Sequence, residues 1–161
     1  MSRRHPQLLA TADREFMVER NMFRLDDTAS ILATDPEDEP PVPGDELVTS
    51  AYASAIYASG LGDHYPYAAL ASWLAESAAP VGPWECSERV PLEADGGRIA
   101  LRSGVSSFAA PHRLTVAPGQ YVLEAWCSGT DNARVQWAEG VALPHGKGRW
   151  LLRLWPEEPP S

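Results

Sequence analysis

The sequence lacks the features of a membrane-spanning or exported protein. No stretch approaches the about 20 consecutive apolar residues that a membrane helix needs. Arg3 and Arg4 near the start are followed by no apolar segment. Acidic residues such as Glu15, Glu19 and Asp26 interrupt every candidate, so we predict no signal peptide and no membrane association. We therefore expect a cytoplasmic protein.

Cysteine is scarce as well, with only Cys86 and Cys127 in the chain. In the cytoplasm both are expected to be reduced thiols. A bridge between them stays open as an alternative, because both lie in strand-like segments. Each shares a strand face with an apolar residue, Trp84 or Leu123, which is typical of a small buried side chain. Neither has a neighbour that would activate a thiolate, so we expect no catalytic cysteine.

Motifs for metal binding and catalysis are missing too. The histidines are scattered, with no His-Glu-x-x-His or Cys-x-x-Cys spacing: His5, His64, His112 and His145. There is no Gly-x-Ser-x-Gly sequence, and residues 60–62 lack the third glycine and the lysine of a phosphate-binding loop. We predict no catalytic residues, no metal and no cofactor. The alternative is a small hydrolase assembled around His64 or His145.

The charge balance is strongly acidic. The 161 residues carry 22 Asp and Glu against 13 Lys and Arg, a formal net charge of −9. Such a chain repels phosphate backbones, which argues against direct nucleic-acid binding and is compatible with a basic protein partner. Up to residue 46 there are 11 acidic and 5 basic residues, so this first part carries most of the excess.

Residues 1–44 read as an irregular N-terminal extension. It ends in an acidic, proline-rich segment, residues 35–44, with four prolines and four acids, which cannot hold a helix or a central strand. The densest acidic run in it is Glu37, Asp38 and Glu39. We interpret these three residues as a docking surface for a basic partner such as the groove of a nuclease. The alternative is a linker kept open by like charges.

Residues 45–156 read as one mainly β domain, followed by a polar tail, residues 157–161. Residues 47–57 are rich in Val, Ile and Tyr and predict a strand. Residues 67–77 show apolar spacing typical of a helix and are rich in alanine. Further along, at least six short strands alternate with turns. The pattern predicts an antiparallel β-sandwich with one short helix.

Two turns organise the second half of this domain. Asp95, Gly96 and Gly97 separate two alternating segments and predict a β-hairpin. Pro118 and Gly119 suit the central positions of a type II turn.

Trp126 is the most informative of the six tryptophans. It alternates with Leu123 and Ala125 and shares the parity of Glu124, which predicts an outward side chain. An outward tryptophan can anchor a protein partner or stack on a sugar, whereas most tryptophans fill or rim a core. We interpret Trp126 as a partner-binding residue. A carbohydrate-binding sandwich is a further alternative.

With the strands in place, the chain from about residue 46 to its end resembles the competence protein J family. The resemblance rests on residues 84–92, on the turn through 97–99 and on residues 114–126, with residues 48–52 as a match to the opening strand. It implies a small intracellular protein that binds and inhibits a DNA-entry nuclease. An immunity protein that neutralises a toxin is a related reading. No inhibitory residues can be carried over position by position.

Overall fold

The computed structural model describes residues 6–16, 18, 22–30, 36–59, 65–103, 112–129 and 145–158. These residues form one short 3-10 helix, Pro36–Asp38, and a series of strands. In chain order the strands are β1 Leu8–Glu15, β2 Met22–Asp27, β3 Val48–Ala51, β4 Ser54–Ala58, β5 Tyr65–Trp73, β6 Cys86–Ala94, β7 Arg98–Ser103, β8 His112–Thr115, β9 Gly119–Ser128 and β10 His145–Pro156.

The strands form two five-stranded sheets. The first sheet has the order β1-β5-β10-β9-β6, and the second has the order β3-β4-β2-β7-β8. All neighbours are antiparallel except β5 and β10, which run parallel. The predicted mainly β sandwich is therefore confirmed.

The hydrophobic core lies between the sheets and follows the alternation of their strands. On β2, Phe23 and Leu25 are buried in the core while Arg24 points the other way. Phe23 stacks on Tyr57 with ring centroids 4.7 Å apart and meets Trp150 edge-on at 4.9 Å. These three rings come from β2, β4 and β10, so they join the two sheets.

The predicted helix over residues 67–77 is wrong. Most of that segment is β5, which pairs with β1 on one side and with β10 on the other. Ala68 and Leu70 alternate into the core, while Tyr67 between Pro66 and Ala68 is exposed. Tertiary packing overrides the helical propensity of alanine here.

The expectation of an irregular N-terminal extension is wrong for two segments. β1 pairs with β5 at the edge of the first sheet, and β2 lies in the middle of the second sheet, between β4 and β7. The apolar pattern of β2 is obscured in the sequence by Asp26 and Asp27, which are both buried with no exposed surface. The single strand predicted over residues 47–57 is also divided, because the chain turns at Tyr52 and forms the hairpin β3–β4.

The two turns of the second half connect opposite sheets. The Asp95–Gly97 turn leads from β6 in the first sheet to β7 in the second, so the predicted hairpin is wrong. The Pro118–Gly119 turn leads back from β8 to β9. Gly97 has φ 67°, and a Cβ there would lie 2.3 Å from the carbonyl oxygen of Val116, so only glycine fits this crossing.

The buried carboxylate of Asp27 holds the first crossing in place. Its oxygens accept hydrogen bonds from the backbone N–H groups of Gly96 at 2.6 Å, Gly97 at 3.2 Å and Arg98 at 3.2 Å, and from the Ser30 hydroxyl at 2.9 Å. Asp27 therefore satisfies the polar groups of a turn that belongs to neither sheet.

Candidate partner-binding surface

The structure joins Cys86 and Cys127 in a disulfide, so the prediction of two reduced thiols is wrong. The two residues lie directly opposite each other on β6 and β9, with their Cα atoms 5.6 Å apart. Cys86 is exposed and Cys127 is buried. The register of β6 against β9 places the two cysteines side by side. The sequence pattern did not reveal this register.

Trp126 lies on the outer face of the first sheet, with the parity that the sequence predicts. Its indole N–H donates to the Glu124 carboxylate at 2.6 Å, and its ring meets Trp84 at a centroid distance of 6.5 Å. The side chain is half-buried. The chain between β5 and β6 has to cross this face, because β10 and β9 lie between those strands, and Arg153 donates to the Ala78 carbonyl of that segment at 2.7 Å.

Glu124 is the centre of a buried charge cluster on the same face. It receives hydrogen bonds from the Nε atoms of Arg153 at 2.9 Å and Arg89 at 2.8 Å, and it is only 2% exposed. Both guanidinium groups lie over the Trp155 ring, that of Arg89 at 5.1 Å and that of Arg153 at 5.9 Å from its centroid. Burial raises the pKa of Glu124, but the bonds from Trp126, Arg153 and Arg89 outweigh it and lower the pKa below its ordinary value.

The acidic run lies on the other side of the sandwich. Glu37 and Asp38 are exposed, and Glu39 forms an ion pair with Arg24 at 3.1 Å. Arg24 belongs to the outer face of the second sheet. The structure therefore does not bring Trp126 together with the acidic run, because the two occupy the outer faces of different sheets.

Tyr52 marks a surface feature that the sequence analysis missed. It lies at the β3–β4 turn, is 40% exposed and has a left-handed φ of 49°. Its hydroxyl donates to the Asp95 carboxylate at 3.2 Å, and its carbonyl accepts the N–H of Glu93 at 2.9 Å. The hydrogen bond to Asp95 and the negative charges of Asp95, Glu93 and Asp38 raise the pKa of Tyr52. No periodicity in the sequence distinguishes this tyrosine from a strand residue.

The acids around Tyr52 continue towards the end of the chain. Glu93 lies opposite Gln120 in the β6–β9 register, and the Gln120 carbonyl accepts the N–H of Glu157 at 2.9 Å. Glu157 and Glu158 are exposed, as is Asp95. We call this surface the acidic end; it comprises Tyr52, Glu93, Asp95, Glu157 and Glu158.

His112 is the one histidine whose side chain the structure describes, and it forms no site. His112 is fully buried and shares a hydrogen bond of 2.7 Å with the Ala68 carbonyl, and burial lowers its pKa. His64 and the side chain of His145, which carry the hydrolase alternative, lie outside the described residues. Within the described part of the chain no three His, Cys, Asp or Glu residues are grouped to hold a metal ion. No helix in that part is long and apolar enough to cross a membrane.

The arrangement of the two sheets is that of two solved structures. No protein-family model and no curated protein matches the chain. A structure described as crocagin biosynthetic gene J is 18% identical, with a TM-score of 0.60, and the match covers 93% of this chain and 100% of that chain. ComJ from Bacillus subtilis, described as an inhibitor of the DNA degrading activity of NucA, is 13% identical, with a TM-score of 0.58, and the match covers 95% and 99%.

These matches show a ComJ-like fold and confirm the resemblance seen from about residue 46 to the end of the chain. They also extend it, because coverage of 95% of this chain reaches well into the first 44 residues. β1 and β2, which lie in those residues, are part of the two sheets.

Proposed function

We propose that the protein is a non-catalytic inhibitor or immunity-type protein that binds a nuclease or a toxin. The observation that carries the proposal is the end-to-end match with ComJ, an inhibitor of a DNA-degrading activity. A match over 99% of ComJ leaves no domain of that inhibitor without a counterpart here. The acidic net charge of −9 suits a target whose own surface is basic, as nucleic-acid-binding grooves are.

The acidic end is the surface that fits such a target best. It combines exposed carboxylates with one exposed aromatic ring, and interface hot spots are enriched in tyrosine. Tyr52 also occupies a backbone region that costs a bulky residue about 1–2 kcal/mol. Backbone strain of this kind clusters at functional sites, so we infer that Tyr52 is retained for binding and not for the turn. Asp38, from the acidic run, is close enough to act on the Tyr52 hydroxyl.

The proposal is tested by isolating the partner. The tagged protein is expressed in its natural cells, and the protein that co-purifies in a stable complex is assayed for DNA degradation and for toxicity. We expect its activity to fall to background as the chain approaches one equivalent. A stable partner with neither activity, or one whose activity is unchanged at excess inhibitor, contradicts the proposal.

A matched pair of variants connects the inhibition to the surface. Asp95→Asn with Glu93→Gln removes two charges from the acidic end, whereas Asp13→Asn with Asp45→Asn removes two charges elsewhere. Asp13 and Asp45 are exposed, and Asp45 precedes β3 while Tyr52 follows it. We expect the first pair to weaken inhibition at least tenfold and the second to leave it within about twofold, because charges outside an interface act only through screened, long-range fields. Equal effects of the two pairs contradict this location.

A further inference from the structure

A cleft opens within the acidic end, between the turn that joins β8 to β9 and the last residues of β10. It has a volume of about 550 Å³. Its lining combines apolar walls with two carboxylates and includes Pro118, Gly119, Tyr121, Pro156, Glu157 and Glu158. A cleft of this size falls within the about 300–1,000 Å³ of sites that hold small ligands, so it has room for a side chain of a partner.

The walls of the cleft are held by the fold. Tyr121 is 5% exposed, and its hydroxyl donates to the Ala117 carbonyl at 2.6 Å, which closes the turn on itself. Tyr121 lies opposite Pro156 in the β9–β10 register. The next residue, Glu157, is bound through its N–H to Gln120. The cleft is therefore formed before any ligand arrives, which reduces the entropy cost of binding.

The two carboxylates at the cleft differ from the acids that are neutralised within the chain. Glu124, Asp26 and Glu39 each form an ion pair with an arginine of this chain. Neither Glu157 nor Glu158 has an arginine or lysine partner among the residues that the structure describes. Two unneutralised carboxylates beside apolar walls suit a cation with an aliphatic stem.

We propose that this cleft binds an arginine side chain of the partner protein. The aliphatic stem would lie along Pro118 and Pro156, and the planar guanidinium would reach Glu157 and Glu158. Arginine fits better than lysine, because its fork of donors can bond two carboxylate oxygens at once. The proposal rests on the proposed function for the identity of the partner, and it adds the chemistry of one contact.

The test uses a probe that needs no identified partner. The isotope-labelled full chain is titrated with a capped Gly-Arg-Gly peptide while backbone amide shifts are followed by NMR. Capped peptides with citrulline and with lysine in place of arginine are titrated in parallel. We expect the arginine peptide to shift the amides of Gly119, Gln120, Glu157 and Glu158 most. The citrulline and lysine peptides should bind at least tenfold and threefold more weakly, respectively.

Two variants complete the experiment. Glu157→Gln with Glu158→Gln should weaken binding of the arginine peptide at least tenfold. Both side chains are exposed, so we expect their replacement to leave the fold intact. Asp13→Asn with Asp45→Asn removes the same charge elsewhere and should change the affinity less than twofold. Shifts spread evenly over the acidic surface, equal binding of citrulline or lysine, or unchanged affinity in the Glu157 and Glu158 variant would overturn the proposal.

The outcome is independent of the test of function. Arginine binding at the cleft in a protein that inhibits no nuclease or toxin would refute the proposed function and support the cleft as an arginine-binding site. Inhibition that survives Glu157→Gln with Glu158→Gln, together with no peptide binding, would refute the cleft and keep the function.

Discussion

The outer face of the first sheet and the acidic end use charge in opposite ways. Around Glu124, which is 2% exposed, every charge is matched: Arg153 and Arg89 bind it, and Trp126 donates to it. At the acidic end Asp95, Glu157 and Glu158 are exposed and Glu93 is half-buried, and among the described residues Asp95 alone of these has a side-chain partner, Tyr52. Matched buried charges hold the β5–β6 crossing, whereas unmatched exposed charges remain available to another molecule. The difference separates residues that build the sandwich from residues that can recognise a partner.

The largest expected effect falls on the buried cluster. Glu124→Ala removes the partner of Arg153, which is 3% exposed, and leaves an uncompensated charge inside the protein. Breaking a buried pair costs about 3–5 kcal/mol. We expect the free energy of unfolding, measured by denaturant titration, to fall by this amount. Glu124→Leu with Arg153→Met should recover most of the loss, and a double variant as unstable as the single one would show that the cluster is not an ion pair in energetic terms.

The same cluster predicts a dependence on pH. The pKa of Glu124 in the folded protein lies below the ordinary value of 4.5, so the unfolded chain binds the proton more readily. The contribution of Glu124 is therefore present above pH 4.5 and is lost as the pH falls through its folded pKa. We expect Glu124→Gln to flatten the stability curve below pH 4.5 relative to the native chain. Parallel curves for the two proteins in this range would contradict the assignment, since every other titrating group is common to both.

Trp126 gives the most direct test of the difference between residues that build the sandwich and residues that bind a partner. Trp126→Ala removes a half-buried ring and a donor to Glu124, and we expect it to lower the unfolding free energy by about 2 kcal/mol. The sequence-based prediction that Trp126 anchors a partner requires, in addition, a dissociation rate at least tenfold faster. Calorimetry and kinetics on the one variant decide: lost stability with an unaltered dissociation rate removes Trp126 from the interface.

We expect substitution of Tyr52 to affect partner binding without lowering stability, whereas substitution of Trp126 is expected to lower stability. Tyr52→Asn places a residue that tolerates the left-handed region at φ 49°, so stability should hold or rise by about 1 kcal/mol. Loss of the exposed ring should speed dissociation of the partner about tenfold, which corresponds to about 1.4 kcal/mol. Tyr52→Phe, which keeps the ring and loses the bond to Asp95, is the control. A Tyr52→Asn variant that is destabilised and binds normally would make Tyr52 a structural residue.

The smallest effect is expected from the acidic run. Neutralising Glu37, Asp38 and Glu39 together should slow association several-fold and leave dissociation nearly unchanged, because exposed charges at a rim mainly steer encounter. The effect should fade in 1 M salt, where the screening length is about 3 Å. Stability should fall by less than about 1 kcal/mol, since only Glu39 forms an ion pair and that pair is partly exposed. A faster dissociation rate would instead place these residues inside the interface.

The local sequence pattern determined which side chains of several strands enter the core and indicated the fold class. The alternation of Tyr121, Leu123 and Ala125 with Glu124 and Trp126 determined which side chains of β9 enter the core, since successive strand residues point to opposite faces. The same alternation predicts a two-layer β protein. The acidic excess at residues 37–39 and the absence of catalytic motifs are likewise readable without coordinates.

Only the tertiary structure decided which strands meet. The sequence of a strand does not specify which strand pairs with it, so the disulfide of Cys86 with Cys127 follows from the β6–β9 register alone. The alanines of β5 form a strand because β1 and β10 offer partners on both sides, which local helix propensity cannot register. Tyr52, Asp95 and Glu157 are far apart in the sequence and share one end of the sandwich because turns from both sheets converge there. A binding surface made by such convergence has no signature in the sequence.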